Sequence, residues 1–454
     1  MKCYPCLALP LFLLSTLPSL LAQEAASSVV DPKYALPTSD DGLPGAGPIR
    51  RKPAFQTSWG QRRMGWSKSV ADDQKALVLL GDSITQGWGT RTEKEFPNVK
   101  IANRGIGGDT TRGMLIRIDD VIALQPSGVV MLMGTNDLEE NADPATIAEN
   151  IRLIIERLKK SNAMTPIILC TVFPSSETKN RPADKIKKLN ELIAGHIKGD
   201  SQVTVVDTWT LFADPSGNAK PEDFRDLLHL NDVGYAKWAA ALRPVFATLG
   251  FVENEPDSFQ LEPGFVSLFN GHDLSGWGFH ASTAEQIANA KKLQAKDPSK
   301  ALAMPIIEVS VNFDGKMSTP DGRYVAKNGR LIVTTPPEGR KIQQLWTTRE
   351  IAEDFVLRLE FRATPNADSG IFLRKPQLQC RDFPLAGPYK ELKKYKPQDW
   401  NELVVEARGE SARCTCNGEV LEEAFKLPAS GPIGLEGDRG QMEYRRIRIK
   451  VGTL

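Results

Sequence analysis

The sequence predicts a multidomain protein, an α/β three-layer domain followed by an all-β sandwich. Three observations predict it. The chain has 454 residues, more than one hydrophobic core ordinarily organises. Between about residues 71 and 250, continuous apolar runs of strand length alternate with helix-length segments, the pattern of a parallel sheet covered on both faces. From residue 264 onward, short segments alternate apolar and polar residues, as in two antiparallel sheets with one face of each buried.

The chain opens "MKCYPCLALPLFLLSTLPSLLAQE". Lys2, an apolar stretch to Leu21 and small Ala22 have the layout of a cleaved secretory signal peptide over residues 1–22. That layout predicts a secreted or periplasmic protein. The stretch is short for a membrane span and is interrupted by Pro10 and Pro18, so no span is expected in the mature chain. Cys3 and Cys6 precede the apolar region and do not read as a lipid-attachment site. Residues 23–70, including "TSDDGLPGAGPIRRKP", show no period and read as a linker.

Composition narrows the function classes. Charged residues make up 25% and the formal net charge is +1, so no field steers the protein toward nucleic acid or anionic lipid. Cys170, Cys380, Cys414 and Cys416 remain after the signal, too few for a disulfide scaffold in a chain of this size. Pairing with Cys380 and buried free thiols are both open. No cysteine or histidine cluster has zinc-ligand spacing. His196, His272 and His280 are isolated and read as packing or surface residues. No metal and no cofactor are expected, and oligomeric state leaves no trace in the sequence.

In the first domain, strands are predicted at residues 76–80, 99–102, 128–133, 166–172 and 203–207. The segment "PATIAENIRLIIERLKKS" places Ile147, Ile151, Ile154, Ile155 and Leu158 on one helical face. "PADKIKKLNELIAGHIKG" and residues 233–249 supply two further helices, and residues 251–263 are a polar linker. In residues 264–454, "GRLIVTT", "FVLRLEFRAT", "GIFLRK", "WNELVVEARG" and "YRRIRIKV" read as strands. Asn417-Gly418 reads as a hairpin turn, and residues 282–300 as a helical insertion.

In an open parallel sheet, ligands bind beyond the carboxyl ends of the strands. Ser83, in "LVLLGDSITQGWG", lies there. Serine is also a common helix N-cap, so the residue alone decides nothing. Three other segments fall at the same edge. "NRGIGGDTTRG" follows the second strand, and Gly107-Gly108 lets backbone amides approach a ligand. "MLMGTND" brings Asn136 to the end of the third strand. "DLLHLNDVGY" carries Asp226 and His229, whose i, i+3 spacing on a helical turn would put both on one side. The aspartate could then orient the imidazole while the histidine accepts a proton from Ser83. A dinucleotide loop is excluded because Thr110 stands where its third glycine belongs.

These blocks, with "GIGGDTTRGMLIRI", "GTND" and "DLLHLNDVGYAK", resemble the SGNH (GDSL-type) hydrolase superfamily over about residues 75–248. The branch they most resemble contains the alpha subunits of intracellular platelet-activating-factor acetylhydrolase. The resemblance implies a flavodoxin-like fold and metal-free ester hydrolysis. It assigns Ser83 as nucleophile, His229 as base and Asp226 as its orienting carboxylate. The oxyanion donors it implies are the amides of Ser83 and Gly108 and the side chain of Asn136. Residues 71–250 are accordingly expected to form an SGNH hydrolase domain.

"FVSLFNGHDLSGWGFH", "DSGIFLR", "WNELVVEARG" and "GPIGLEGDRGQMEYRRIRI" resemble the 3-keto-disaccharide hydrolase family. Its members are secreted bacterial domains with a concanavalin-like sandwich, expected here at residues 264–454. The family's Tyr-Glu-x-Gln stretch is replaced by "PQLQCRD", with Gln377 at the expected glutamate position. A missing carboxylate removes a general acid or base, which favours sugar binding over glycoside cleavage. Trp277, Arg374, Asp382 and Trp400 are the candidate sugar contacts. The expected function is a secreted serine esterase removing acyl groups, acetyl favoured, from a carbohydrate. The alternatives are a lipid or phospholipid acetylhydrolase and a sugar-binding envelope protein with a glycoside-cleaving sandwich.

Overall fold

The structure, a computed structural model, describes residues 30–252, 258–298 and 300–452. The expected signal peptide lies outside the described residues, as does part of the 251–263 linker.

Five strands form the sheet of the first domain: β1 (Leu77–Gly81), β2 (Ile101–Gly105), β3 (Gly128–Leu132), β4 (Ile167–Cys170) and β5 (Val203–Val206). Their order is β2-β1-β3-β4-β5 and every pairing is parallel. β1 and β3 are buried at every position, which is why they read as unbroken apolar runs. The order reverses at β1, so the crevice between the loops after β1, β2 and β3 is the sheet's switch point.

Helix Pro144–Ser161 buries the predicted isoleucine face. Proline occupies its first turn and the Asp143 side chain accepts the Ala145 amide. Helices Ala183–His196 and Asp232–Leu249 complete the layers. The last begins on an Asn231 cap and ends at Gly250, whose φ of 85° suits glycine.

Residues 30–70 are not a linker. Helix Pro53–Lys68 packs on the α/β domain through fully buried Trp59, in a small cluster with Leu36 and Ile106. Arg63 lies 4.4 Å over the Trp59 ring and donates to Asp120 at 2.6 and 3.0 Å. Upstream, Arg112 donates to the carbonyl of Gly47 at 3.0 Å and to Asp40 at 2.6 Å. The helix has two glycines and no continuous apolar stripe, so its periodicity is silent. A few large tertiary contacts hold it instead.

The second domain packs an eight-stranded and a six-stranded antiparallel sheet face to face. Asn417 and Gly418, both at positive φ, turn strand Ser411–Cys416 into Glu419–Lys426. The insertion forms helix Ala284–Lys296 on a Thr283/Gln286 capping box. Cys170, Cys380, Cys414 and Cys416 are buried free thiols.

The sandwich meets the end of the last α/β helix. Lys327 donates to the Thr248 carbonyl at 2.6 Å and Arg330 to that of Ala247 at 3.3 Å. Both cations answer helix-end carbonyls that lack intrahelical partners. Arg330 and Arg362 converge on the fully buried carboxylate of Glu443.

Candidate active site

The turn after β1 decides what Ser83 is free to do. Asp82, not Ser83, caps the short helix Ser83–Gln86, its carboxylate accepting the Ile84 amide at 2.9 Å. The Ser83 hydroxyl is therefore available, and its Oγ lies 3.0 Å from Nε2 of His229. Nδ1 of His229 lies 2.9 Å from Oδ2 of Asp226. An unbroken hydroxyl–imidazole–carboxylate chain joins the end of β1 to the loop before the last helix.

Asp226 and His229 do not share a helical turn, contrary to the spacing argument. They sit in an irregular loop closed by a bridge between Phe224 and Leu230. Oδ1 of Asp226 accepts the amides of Leu228 (3.2 Å) and His229 (2.8 Å), and Leu227 takes a φ of 62°. This turn, nucleated by the aspartate itself, brings the two side chains together. Burial pushes the Asp226 carboxyl up, but the His229 amide and ring outweigh it and hold the group at about 2. Asp226 is ionised at neutral pH and can orient and stabilise an imidazolium.

The loop after β2 lies beside Ser83. A side chain at Gly107 would reach 3.7 Å from the Ser83 Cβ, and the Gly107 amide donates to Gln86 at 2.7 Å. Gly108 has φ 83°, and a Cβ there would meet the Arg50 guanidinium at 3.0 Å and the Phe55 ring at 3.4 Å. Residues of the supposed linker therefore wall the crevice. Gly81 pairs with Leu132, so the turns after β1 and β3 are adjacent. Asn136 is on the second of these turns, in the short helix Thr135–Glu139. Its Nδ2 donates to the Asp109 carbonyl at 2.9 Å and its Oδ1 accepts from Arg181 at 3.2 Å.

Beneath these loops are three buried carboxyls that the sequence reading passed over. Asp109 accepts Arg117 at 2.7 Å, and Asp137 accepts both the amide and the hydroxyl of Thr111. Burial raises Asp137 to about 6. Burial raises Asp82 to about 7 against the pull of the Ile84 amide and Arg181. All three are motif residues ("GDS", "GGDT", "GTND"), and their work is to brace the loops. Among the described residues, no group of three or more His, Cys, Asp or Glu side chains could hold a metal ion.

The four sugar-contact candidates of the sandwich are not brought together as a site. Trp277 is fully buried and its indole donates to the Leu268 carbonyl at 2.7 Å. Arg374 is buried, and its guanidinium donates to the carbonyls of Ile351, Gly409, Pro428, Ala352 and Glu353. Both are structural groups, a correction to the expected sugar contacts. Asp382 is fully buried, accepts the Asn366 amide at 2.9 Å, and is raised to about 7 chiefly by burial. Half-buried Trp400 has the guanidinium groups of Arg445 and Arg362 at 4.1 and 4.8 Å from its ring.

A different set converges on the outer face of the six-stranded sheet. Along strand Pro432–Gly437, Ile433 and Leu435 enter the core while Gly434 and Glu436 face outward. Trp346 and Phe372 flank Gly434, with ring centroids 5.0 Å apart, and His280 stacks on Trp346 at 5.6 Å. Gln377 donates its amide to Glu436. The carboxylate missing at position 377 is thus supplied from two strands away, the Gln377 side chain passing over Gly370 of the strand between. Burial and the nearby Asp438 raise Glu436 to about 7. Period-two alternation in "GPIGLEG" was the signal for this face.

Known proteins repeat the division. Residues 79–237 match the GDSL-like Lipase/Acylhydrolase family, and residues 264–450 match the 3-keto-alpha-glucoside-1,2-lyase-like domain. The human platelet-activating factor acetylhydrolase IB subunit alpha2 is 28% identical over 210 residues, covering 44% of this chain and 88% of its own. The rat alpha1 subunit is 26% identical over 186 residues, covering 39% of this chain and 78% of its own. A solved GDSL-like lipase from Bacteroides thetaiotaomicron is 26% identical, with a TM-score of 0.36, covering 41% of this chain and 98% of that one.

Proposed function

We propose that this ester-bond hydrolase, a GDSL-like acylhydrolase domain joined to a 3-keto-alpha-glucoside-1,2-lyase-like domain, is a secreted serine esterase that removes acetyl groups from a carbohydrate. The observation that carries the mechanism is the Ser83–His229–Asp226 chain, with contacts of 3.0 and 2.9 Å. His229 Nε2 takes the hydroxyl proton as Ser83 Oγ attacks the ester carbonyl. The imidazolium, steadied by Asp226, returns that proton to the departing alcohol. Water, activated by the same nitrogen, then releases the acid from the acyl-enzyme. The amides of Ser83 and Gly108 and one Nδ2 hydrogen of Asn136 receive the oxyanion.

The carbohydrate assignment rests on the fusion partner and on the Trp346–Phe372–Glu436 face, where a pyranose could stack on aromatic rings. Secretion rests on the apolar N-terminal sequence. Acetate release from acetylated polysaccharides and from short-chain lipid esters, by wild type and Ser83→Ala, tests the reading. Release from lipid alone would favour the second reading, a lipid or phospholipid acetylhydrolase, which the names of the 26–28% identical relatives support. Glu436, poised near neutrality, supports glycoside action by the sandwich as a separate activity; a Ser83→Ala protein that still cleaves a glycoside would establish it.

A further inference from the structure

We propose that Arg181 is a positioning residue that sets which end of the Asn136 amide faces Ser83, and that the N-terminal arm, residues 30–70, holds Arg181 in place through Glu139. The inference rests on the esterase reading above and concerns how its oxyanion donor is oriented.

A side-chain amide has two near-isosteric orientations, and only one offers N–H to an oxyanion. Two contacts select it here. Nδ2 donates to the Asp109 carbonyl at 2.9 Å, and Oδ1 accepts from Arg181 Nη2 at 3.2 Å. A flipped amide would set oxygen against the Asp109 carbonyl and NH2 against the guanidinium, losing both bonds and creating two like-poled contacts. Asn136, Asp109 and Arg181 are all buried, so water does not compensate. With one Nδ2 hydrogen on Asp109, the second has no protein acceptor among the described residues and is left for the developing charge.

Arg181 is itself tightly held. Its Nε donates to Oγ1 and the carbonyl of Thr135 at 2.9 Å each, and Nη1 to the Lys179 carbonyl at 2.5 Å. Nη2, which reaches Asn136, also reaches Glu139 at 2.9 Å. Glu139 in turn pairs with Arg50, whose Nε binds Glu140 at 2.7 Å. Arg50 is the arm residue beside Gly108. The relay Arg50–Glu139–Arg181–Asn136 thus ties the arm to one donor while Arg50 itself packs against the loop of another. The guanidinium meets these partners from separate nitrogens of one plane, Nε on Thr135 and Nη2 on Glu139 and Asn136, a spread that the single nitrogen of a lysine does not reproduce.

The test is a double-mutant cycle in the full chain on p-nitrophenyl acetate, reading kcat and KM separately. Arg181→Lys is expected to lower kcat roughly 10- to 100-fold, less than full loss of an oxyanion donor, with KM little changed. In an Asn136→Ala background the same change is expected to alter kcat less than about 2-fold. Glu139→Gln, farther along the relay, is expected to show a smaller kcat loss with the same dependence on Asn136, and serves if Arg181→Lys does not fold. Independent, multiplying losses, a pure KM effect, or no effect of Asn136→Ala would overturn the inference. Ser83→Ala separates the two levels: if it is inactive while the cycle is additive, the relay fails and the esterase stands. If Ser83→Ala stays active, the esterase reading fails first.

Discussion

The crevice after β1, β2 and β3 and the buried polar sites of the sandwich draw on the same residue types, yet leave them in different conditions. In the crevice, supporting groups meet the structural demands: Asp82 caps the helix, Asp109 and Asp137 tie down loops, and Arg181 fixes an amide. Ser83 Oγ and His229 Nε2 then face each other with no other duty. In the sandwich, Arg374 and Trp277 have every side-chain nitrogen engaged by backbone carbonyls. A buried polar residue marks a functional site only where the surrounding structure leaves its reactive atom unengaged.

The largest expected effect separates the two regions outright. Ser83→Ala and His229→Ala should each lower p-nitrophenyl acetate hydrolysis on the order of 10⁴-fold or more with circular dichroism unchanged. Retained activity in either folded variant would place the chemistry outside the crevice.

Trp277→Ala should act through folding, costing ~3–5 kcal/mol of sandwich stability while leaving ester kcat unchanged. Denaturant melts followed alongside glycan binding check this. Lost binding at unchanged stability would restore Trp277 as a sugar contact. Trp59→Ala should cost a similar amount in the α/β domain, and a fragment starting at residue 71 should melt lower than one starting at residue 30. Equal melting would return the arm to linker status.

Next in size, Asn136→Ala should lower kcat by about 3 kcal/mol of transition-state stabilisation with KM nearly constant, because the oxyanion exists only after attack. Steady-state kinetics decide it, and a change in KM alone would make Asn136 a ground-state contact.

The smallest effect is a pH dependence of stability. Asp82 is held at about 7, chiefly by burial, whereas an unfolded aspartate titrates near 4. The folded state binds this proton more tightly, so its stabilising contribution is complete below about pH 4 and is lost as pH rises to about 7. Urea melts should therefore lose stability across that window, by at most ~4 kcal/mol if the whole shift is expressed, and Asp82→Asn should flatten the decline. An unaltered slope would assign the decline to the other raised carboxyls, Asp137, Asp382 and Glu436.

Much of this was legible in the sequence, for identifiable reasons. Doubly buried strands leave unbroken apolar runs, so β1 and β3 were visible, and with them the loops holding Ser83 and Asn136. The pairing of Asp226 with His229 was legible but its geometry was not: an aspartate-nucleated turn and a helical turn share the i, i+3 spacing. Helix Pro53–Lys68 was illegible because Trp59, Arg63 and Trp66 hold it by contacts with distant residues and no stripe repeats along it. The sandwich contacts misled because core packing uses the same tryptophans and arginines that sugars do. Gln377 read as a lost carboxylate, since the carboxylate it binds, Glu436, is 59 positions away and two strands across the sheet.

The central claim is that the Ser83 hydroxyl is the group that takes the acyl load. Its most direct test is mass spectrometry of the full chain after treatment with a fluorophosphonate, with esterase activity followed in parallel. One phosphonyl group per chain is expected, on the peptide containing Ser83, appearing in step with the loss of activity, absent in Ser83→Ala and strongly slowed in His229→Ala. Labelling at another residue in step with inactivation, or full labelling of Ser83 with activity retained, would contradict it.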